Sequence, residues 1–440
     1  MSFARSGLVS FMNRASIALF GFVNFYILIR ILSKQDFGVW ILFISVAAIM
    51  ESVRKAFIYN PFVKFLNSSK EEAHEEVISS SLLLNCITAV LAISFLWLGG
   101  FFLAQVWEDP RLYEVFKIYS LGQFFYTFVI HYNSLNEANL KFHATLFSGM
   151  SQRIVFLLLV LYFHGIGYDL TLDFLAICHV VGIGIAASVS IAFGLKYHRF
   201  RLVFRQSLLE QFHYGKFTFG TNVSSMLFKN TDSWMLGSIV GKMAVASYNP
   251  AIRISNLFEV PLGAISSVVY PDMVRRIKSG GLSQAKILYE KSVGLSLAVM
   301  VPFIIAVVFF AEPIMILVAG EKYADSSAIL QVTMIYGLIV PFNRQFGITM
   351  NAIGKAKINF IVLASNTLIN VLLNMILIHA YGVIGAAYAT LVSYFLILIV
   401  CEILLYRTLG VELRNIARSY FSSYGLILNM VRKKLNNLFV

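Results

Sequence analysis

The chain has 440 residues, of which 58% are hydrophobic and only 13% are charged, and its mean hydropathy is +0.77. A soluble protein with a single core cannot bury that much apolar side chain, so the composition excludes a soluble globular class and predicts a polytopic membrane protein. The net charge of +13 does not indicate nucleic-acid binding, because the basic residues form separate clusters between apolar segments.

The apolar segments predict an all-α fold with twelve transmembrane helices, taken here in chain order. The first six spans cover residues 8–31, 38–62, 77–104, 112–134, 143–163 and 170–194. The last six cover residues 214–240, 251–272, 287–310, 327–350, 357–380 and 383–406. Cys86, Cys178 and Cys401 stand alone inside such segments, and we interpret them as inert buried thiols.

The spans define four regions. These are an N-terminal six-helix lobe, a cytoplasmic amphipathic linker, a C-terminal six-helix lobe and a basic amphipathic cytoplasmic tail, at 1–194, 195–213, 214–406 and 407–440. Basic clusters follow the sixth, eighth and twelfth spans, so the positive-inside rule places both termini in the cytoplasm and the loop 241–250 outside. The linker and tail mix Arg and Lys with Leu, Phe and Tyr, which indicates helices on an anionic inner leaflet.

The two halves of the chain resemble each other at an offset of 208 residues. The segment LSKQDFGVW (32–40) aligns with VGKMAVASY (240–248), and Glu51 then aligns with Glu259. Both halves begin with the same orientation, so we expect two parallel six-helix repeats related by an axis along the membrane normal. Transporters use this arrangement to build a central site between two lobes.

One polar helix face stands out, in the segment TFGTNVSSMLFKNTD (218–232). Thr218, Asn222, Ser225, Lys229 and Asp232 fall on a single face at helical spacing. Ionisable groups at membrane depth usually lie on a substrate or ion path. The alternative is that Lys229 and Asp232, three residues apart, neutralise each other as a packing ion pair.

Several segments resemble a known superfamily. The N-terminal span, the loop ILSKQDFGVW, the run DSWMLGSIVG and the segment YNPAIRI are similar to the multidrug/oligosaccharidyl-lipid/polysaccharide (MOP) exporter superfamily, and within it to the Wzx-type O-antigen flippases. The resemblance covers essentially the whole chain. It implies a V-shaped two-lobe transporter in the bacterial cytoplasmic (inner) membrane. That transporter would move an undecaprenyl-pyrophosphate-linked oligosaccharide to the outer leaflet for lipopolysaccharide O-antigen or related polysaccharide biosynthesis.

A pyrophosphate-linked sugar requires cations for its phosphates and hydrogen-bonding groups for its hydroxyls. The candidate substrate-binding residues are Arg14, Arg54, Lys55, Arg153, Lys229, Arg253, Arg344, Asn366 and Asn370. Arg14 lies on the first-repeat face that corresponds to the Lys229 face, so we expect both at one central cleft. Alternatively, Arg153 and Arg253 reach to the membrane interface, and the asparagines form hydrogen bonds between helices.

Transport coupled to an ion gradient requires a group that binds the ion. The candidates within spans are Asp232, Glu51 and Glu259, and Asp232 has the strongest context because it shares a face with Lys229. The sequence leaves open whether the coupling ion is H⁺ or Na⁺, and predicts no other cofactor and no metal centre. The expected partners are the lipid-linked oligosaccharide, anionic lipids at the cytoplasmic face and other polysaccharide assembly proteins, without nucleic acid.

An enzyme is not expected, because the sequence has no Walker loop, no G-x-S-x-G and no His/Cys/Asp cluster with metal spacing.

Three alternatives to an O-antigen flippase remain open. A lipid-linked sugar polymerase or ligase would need a large outer loop. A multidrug exporter of the same superfamily would present carboxylates to cationic compounds, whereas cations outnumber carboxylates in these spans. The third alternative is a lipid II flippase, which resembles a longer relative of this chain with two additional C-terminal spans.

Overall fold

The computed structural model describes residues 3–68, 71–198 and 205–436. Within these ranges, side chains are described at all positions except 3–15, 18, 67–68, 71–73, 205, 216–222, 224–225 and 426–436.

Six long helices make up the first half of the chain. They are α1 (Phe3–Ile31), α2 (Lys34–Ser68), α3 (Glu71–Val106), α4 (Arg111–Ala138), α5 (Phe142–Gly165) and α6 (Leu172–Gly194), and the 3₁₀ turn Leu195–Tyr197 follows α6. Ser33 caps the start of α2: its Oγ accepts from Asp36 N at 3.0 Å and donates to Asp36 Oδ2 at 2.6 Å. The six helices coincide with the first six predicted spans.

The second half begins with α7 (Arg205–Ile239) and contains two interrupted spans. The eighth span comprises α8 (Lys242–Ser255), a 3₁₀ turn (Asn256–Phe258) and α9 (Glu259–Gly280). After α10 (Leu282–Phe309), α11 (Ala311–Ala319) and the 3₁₀ helix Glu321–Ser326, the tenth span comprises α12 (Ser327–Tyr336) and α13 (Val340–Ala352). The remaining helices are α14 (Ala356–Tyr381), α15 (Val383–Leu409) and α16 (Leu413–Asn436).

The protein is an all-α, multi-pass membrane protein, as predicted. Within the described residues, nine helical segments are long and apolar enough to cross a membrane, and these correspond to nine of the twelve predicted spans. The other three predicted spans, in α1, α4 and α7, are also helical but are not among those nine. The seventh span, for example, contains Lys229 and Asp232, which lower its apolar character.

Two predicted boundaries are wrong. Residues 242–255 form α8, so the segment predicted as an outer loop at 241–250 is almost entirely helical. Pro250 lies inside α8 and does not end it. The seventh helix begins at Arg205 and so includes the second half of the proposed linker. This extension is held by packing: Gln211 is buried and donates to the Val77 carbonyl at 3.1 Å.

The C-terminal helix α16 packs along α10. Gly294 of α10 permits the approach, because a Cβ there would lie 2.7 Å from Ser419 Cβ and from Tyr420 N. At the start of α16, the Glu290 carboxylate accepts from Glu412 N at 3.0 Å and from Asn415 Nδ2 at 3.3 Å. The predicted amphipathic tail helix is therefore present, and its first turns lie against another helix.

The chain divides into two compact units. Unit 1 comprises Met1–Asn230 and Gly241–Ala246, and unit 2 comprises Thr231–Val240 and Ser247–Val440. The tip of the α7–α8 hairpin thus belongs to unit 1. Large aromatic side chains fill both cores: Phe43, Phe62, Phe116 and Tyr119 in unit 1, and Tyr248, Tyr289 and Phe346 in unit 2. All three cysteines are free; Cys178 and Cys401 are buried as predicted, whereas Cys86 is exposed.

Candidate functional site

A buried carboxylate network lies in unit 2 around Asp232. Its Oδ2 accepts hydrogen bonds from Tyr248 Oη at 2.6 Å and from Thr390 Oγ1 at 2.8 Å, and its Oδ1 accepts from Asn374 Nδ2 at 2.8 Å. Asn370 Oδ1 accepts from Asn374 Nδ2 at 3.1 Å, and Asn370 Nδ2 donates to Thr390 Oγ1 at 3.1 Å. Helices α7, α8, α14 and α15 therefore converge on one carboxylate.

The donor set of this network is suited to a hard cation. Carboxylate, amide and hydroxyl oxygens are the ligands that such cations prefer, and Asp232, Asn370, Asn374 and Thr390 supply all three kinds. Asn374 is fully buried, and its Oδ1 has no hydrogen-bond partner among the described residues. A buried acceptor without a donor is costly in an apolar lobe, so this oxygen is free to bind a cation or a proton donor.

The partners of Asp232 differ from the sequence prediction. Lys229 is exposed, and among the described side chains no ion pair joins it to Asp232. The carboxylate is instead held by the three neutral donors above. The predicted packing pair of Lys229 with Asp232 is therefore wrong. The interhelical role that sequence analysis offered for the asparagines of α14 describes the observed bonds of Asn370 and Asn374.

Unit 1 holds a buried guanidinium, that of Arg54. Its Nη1 donates to Gln123 O at 3.0 Å and to Gln123 Oε1 at 2.7 Å. Its Nη2 donates to Asn85 Oδ1 and to Thr127 Oγ1, both at 3.0 Å, and to the Asn85 carbonyl at 3.4 Å. With the residue only 5% exposed, these bonds link α2 to α3 and α4. The sequence offered Arg54 as a substrate ligand; the structure shows its two terminal nitrogens engaged by protein oxygens.

A second group of polar side chains in unit 1 lies around Glu51. Its Oε1 accepts from Tyr119 Oη at 2.5 Å. Arg153 is half-buried, and its Nη1 donates to the Gly149 carbonyl at 2.6 Å. The His179 ring is surrounded by aromatic side chains, with centroids 5.8 to 6.4 Å away at Tyr119, Phe156, Phe43 and Trp40. One N–H of Arg153 is thus engaged by a described residue, and its other donors are not.

Two helix interruptions meet in unit 2. Gly337 ends α12, and a Cβ at this glycine would lie 3.1 Å from the Phe258 ring, which precedes α9. The Phe258 ring also packs edge-on against Tyr336, with centroids 6.4 Å apart. Just before the interruptions, Ser255 Oγ and Thr333 Oγ1 are hydrogen-bonded at 2.5 Å. Discontinuous helices in membranes expose main-chain and side-chain polar groups where they line a site.

An ion pair follows directly after these interruptions. Arg344 Nη1 donates to Glu259 Oε2, and Arg344 Nε donates to Ser266 Oγ at 2.9 Å. The pair is partly accessible, with 31% of the Arg344 side chain and 45% of the Glu259 side chain exposed. Sequence analysis assigned Arg344 to substrate and Glu259 to ion coupling; the structure joins the two in one pair.

The remaining candidates are more dispersed. Lys55 is exposed, with its Nζ 5.7 Å from the centroid of the Tyr59 ring. Arg253 is half-buried on α8. Asn366 is buried, and its Oδ1 has no hydrogen-bond partner among the described residues. The Arg14 side chain lies outside the described residues. Sequence reasoning missed Tyr248 and Thr390, although Tyr248 is the repeat counterpart of Trp40 and so lay in an aligned position.

This fold, with buried polar sites inside apolar helix bundles, defines a multi-pass membrane protein. The chain belongs to the polysaccharide biosynthesis protein family, whose sequence model matches residues 27–328.

Two archaeal relatives match part of the chain. An uncharacterized membrane protein of Methanocaldococcus jannaschii is 25% identical over 210 residues, which cover 46% of this chain and 40% of the relative. The probable low-salt glycan biosynthesis flippase Agl15 of Haloferax volcanii is 21% identical over 183 residues, which cover 42% of this chain and 39% of the relative. The matched segments thus span about two fifths of the length of each of these relatives.

Solved structures show the same fold over nearly the whole chain. The lipid II flippase MurJ, in an inward closed conformation, superposes with a TM-score of 0.75 at 16% identity, covering 97% of this chain and 92% of MurJ. An inward-facing multidrug resistance MATE family transporter of the MOP superfamily superposes with a TM-score of 0.76 at 13% identity, covering 91% of this chain and 94% of the transporter. The chain therefore shares the fold of these two structures.

Proposed function

We propose that this protein is a flippase that moves a polyprenyl-pyrophosphate-linked oligosaccharide from the inner to the outer leaflet of the cytoplasmic membrane. The carrier lipid is of the undecaprenyl type, and the sugar is an O-antigen or related surface polysaccharide repeat unit. Transport proceeds by alternating access, with both termini in the cytoplasm. The protein works with other polysaccharide assembly proteins and with anionic lipids at the cytoplasmic face.

The observation that carries this proposal is the partly accessible guanidinium of Arg344 inside a lobe of apolar helices. A cation at membrane depth is expensive unless it serves a substrate or ion path. Membership of the polysaccharide biosynthesis family supports a lipid-linked sugar phosphate as the anion. A guanidinium binds phosphate oxygens through two parallel hydrogen bonds, which suits a diphosphate that must leave water.

Coupling to an ion gradient is the second part of the proposal. The Asp232 carboxylate binds H⁺ or Na⁺, with Thr390, Asn370 and Asn374 as neutral oxygen ligands. Occupation of this site changes the charge at the meeting point of α7, α8, α14 and α15. A change of charge in an apolar interior alters which packing of these helices is favoured.

The test is complementation of a flippase-deficient strain, with surface polysaccharide normalised to the amount of protein in the membrane. Arg344→Ala should lower polysaccharide by at least about tenfold at full abundance, because a charged hydrogen bond to the cargo is lost. Arg344→Lys should retain part of the activity, since it keeps the charge and loses the two-pronged geometry. Normal polysaccharide from well-expressed Arg344→Ala would contradict the proposal.

Two further variants test whether Arg344 acts together with a second candidate cation. Lys229 is exposed and is also a candidate cation, so Lys229→Ala and the double variant Lys229→Ala, Arg344→Ala measure whether the two act together. A loss of polysaccharide that only follows a loss of protein in the membrane would assign these side chains to folding.

A further inference from the structure

The Arg344–Glu259 pair lies beside two helix interruptions that pack together. Arg344 is the more constrained of the two residues, and Glu259 is the more exposed. Arg344 is fixed on one side by Ser266 Oγ, which accepts from its Nε at 2.9 Å. On the other side it is neutralised by Glu259, the first residue of α9, directly after the 3₁₀ turn. Glu259 has nearly half of its side chain exposed, so it is free to turn away from the guanidinium.

The main chain that faces the guanidinium carries no side chain at Gly263. Gly263 lies one helical turn after Glu259, and a Cβ built there would lie 3.8 Å from Arg344 Nη2, an ordinary contact distance. Nη2 makes no hydrogen bond to any described residue. A guanidinium carries five N–H donors, so Nη2 and the second N–H of Nη1 can engage an anion.

We propose that Glu259 is a displaceable counter-ion: it occupies Arg344 in the absence of cargo and gives way to the diphosphate of the lipid-linked oligosaccharide. This inference rests on the proposed function and explains how Glu259 sets the specificity of the Arg344 site. A diphosphate carries more charge than one carboxylate and presents several oxygens to the same fork, so it competes successfully. A neutral lipid head does not.

The same competition assists release. A resident carboxylate beside the bound diphosphate is repelled by it, and its return to Arg344 favours departure of the cargo. Competition with Glu259 therefore weakens the binding of every anion at Arg344, so that only the diphosphate, which carries several charges, binds tightly. Arg54 cannot act in this way, because five hydrogen bonds to neutral oxygens hold it and no competing carboxylate is among its partners.

The experiment measures binding of inorganic pyrophosphate to the purified full-length protein in lipid nanodiscs by calorimetry. Glu259→Gln should bind pyrophosphate about tenfold more tightly than wild type, because removing the competing charge leaves Arg344 available. The same variant should flip a lipid-linked oligosaccharide more slowly at saturating cargo, since release is impaired. Glu259→Asp keeps the charge and should remain within about twofold of wild type in affinity.

Three further variants complete the test, of which the first is the control. Glu312→Gln removes an exposed negative charge elsewhere in unit 2 and should leave pyrophosphate affinity unchanged. Ser266→Ala should weaken binding both in wild type and in Glu259→Gln, because Arg344 is then no longer held in position. Gly263→Leu should weaken binding by filling the space beside Nη2, and melting temperatures show that each variant is folded.

The outcomes separate the two proposals. Unchanged or weaker pyrophosphate binding by folded Glu259→Gln overturns the displaceable counter-ion. If Arg344→Gln still abolishes polysaccharide export in that case, the proposed function stands without it. Unchanged export by folded Arg344→Gln overturns both. Tighter binding by Glu259→Gln, lost again in Glu259→Gln, Arg344→Gln, supports both.

Discussion

Lys242 Nζ lies 2.8 Å from Asp109 Oδ2. This ion pair joins the tip of the α7–α8 hairpin to the α3–α4 turn within unit 1. The same Oδ2 accepts from Arg111 Nη2 at 2.8 Å, and Arg111 Nη1 continues the network to Asp36 at 2.7 Å. The Asp109 side chain is only 4% exposed, so solvent screens these contacts weakly. Burial by itself would raise the pKa of Asp109, but the hydrogen bonds from Arg111 and Lys242 outweigh it and lower the pKa to about 2.

The first prediction concerns the pH dependence of unfolding. Because the pKa of Asp109 is depressed from 3.8 to about 2, its contribution is fully present above pH 4 and is lost as the pH falls toward 2. Asp109→Asn should lower the melting temperature at neutral pH and show a flatter profile between pH 4 and 2. Thermal melts in detergent across this range measure the effect; a profile identical to wild type would contradict it.

The second prediction concerns the closest backbone approach in the same region. A Cβ on Gly38, near the start of α2, would overlap the main-chain carbonyl of Lys242. Gly38→Ala should therefore lower membrane abundance and melting temperature, because a carbonyl cannot move as a side chain does. Gly21→Ala is the matched control: it also lies inside a helix but meets nothing within 4 Å, so it should be neutral or slightly stabilising. Equal behaviour of the two variants would refute the packing argument.

The third prediction distinguishes a folding role from a substrate role for the cations of α2. Arg54→Met should destabilise the protein by at least about 2 kcal/mol, because buried oxygens of Asn85, Gln123 and Thr127 lose their donor. Lys55→Met changes the adjacent, exposed cation and should leave the melting temperature nearly unchanged. Fluorescence-detected size exclusion after heating measures both. A fully stable Arg54→Met with lost transport would instead assign Arg54 to the cargo.

The fourth prediction concerns the coupling ion. In proteoliposomes, flipping should respond to an imposed gradient of either H⁺ or Na⁺, and Asp232→Asn should remove that response because the ion-binding charge is lost. Thr390→Val removes one oxygen ligand and should shift the ion concentration for half-maximal transport by about tenfold. Thr367→Val, which removes a hydroxyl of α14 that donates to the Leu363 carbonyl within the same helix, is the control. Unaltered ion dependence in Asp232→Asn would exclude this carboxylate from coupling.

The fifth prediction concerns orientation. Cysteines introduced at Asp169, in the turn between α5 and α6, and at Ser279, at the end of α9, should be labelled from opposite sides of the membrane by an impermeant maleimide. By the positive-inside rule, the basic residues Arg275, Arg276 and Lys278 predict that Ser279 lies in the cytoplasm. The native cysteines are replaced beforehand, because Cys86 is exposed. Labelling of both positions from one side would invalidate the proposed topology.

The sequence by itself determined the helices and the family. Apolar segments of sufficient length must be helical in a membrane, since every backbone group has to be satisfied locally. The special position of Asp232 was also readable, because it departs from its apolar surroundings. Helix ends were read less well: α8 begins at Lys242 and contains Pro250, whose lost hydrogen bond membrane helices tolerate.

Only the tertiary structure decided which polar groups meet. Lys229 is three residues from Asp232, yet the carboxylate is bound by Asn374 and Thr390, which are 142 and 158 residues away. Arg344 and Glu259 are 85 residues apart and pair because two helix interruptions pack together. Periodicity assigns a side chain to a face of its own helix, whereas its partner depends on how the helices pack. A single sequence does not encode that choice locally, so cations that looked alike, such as Arg54 and Arg344, have different partners.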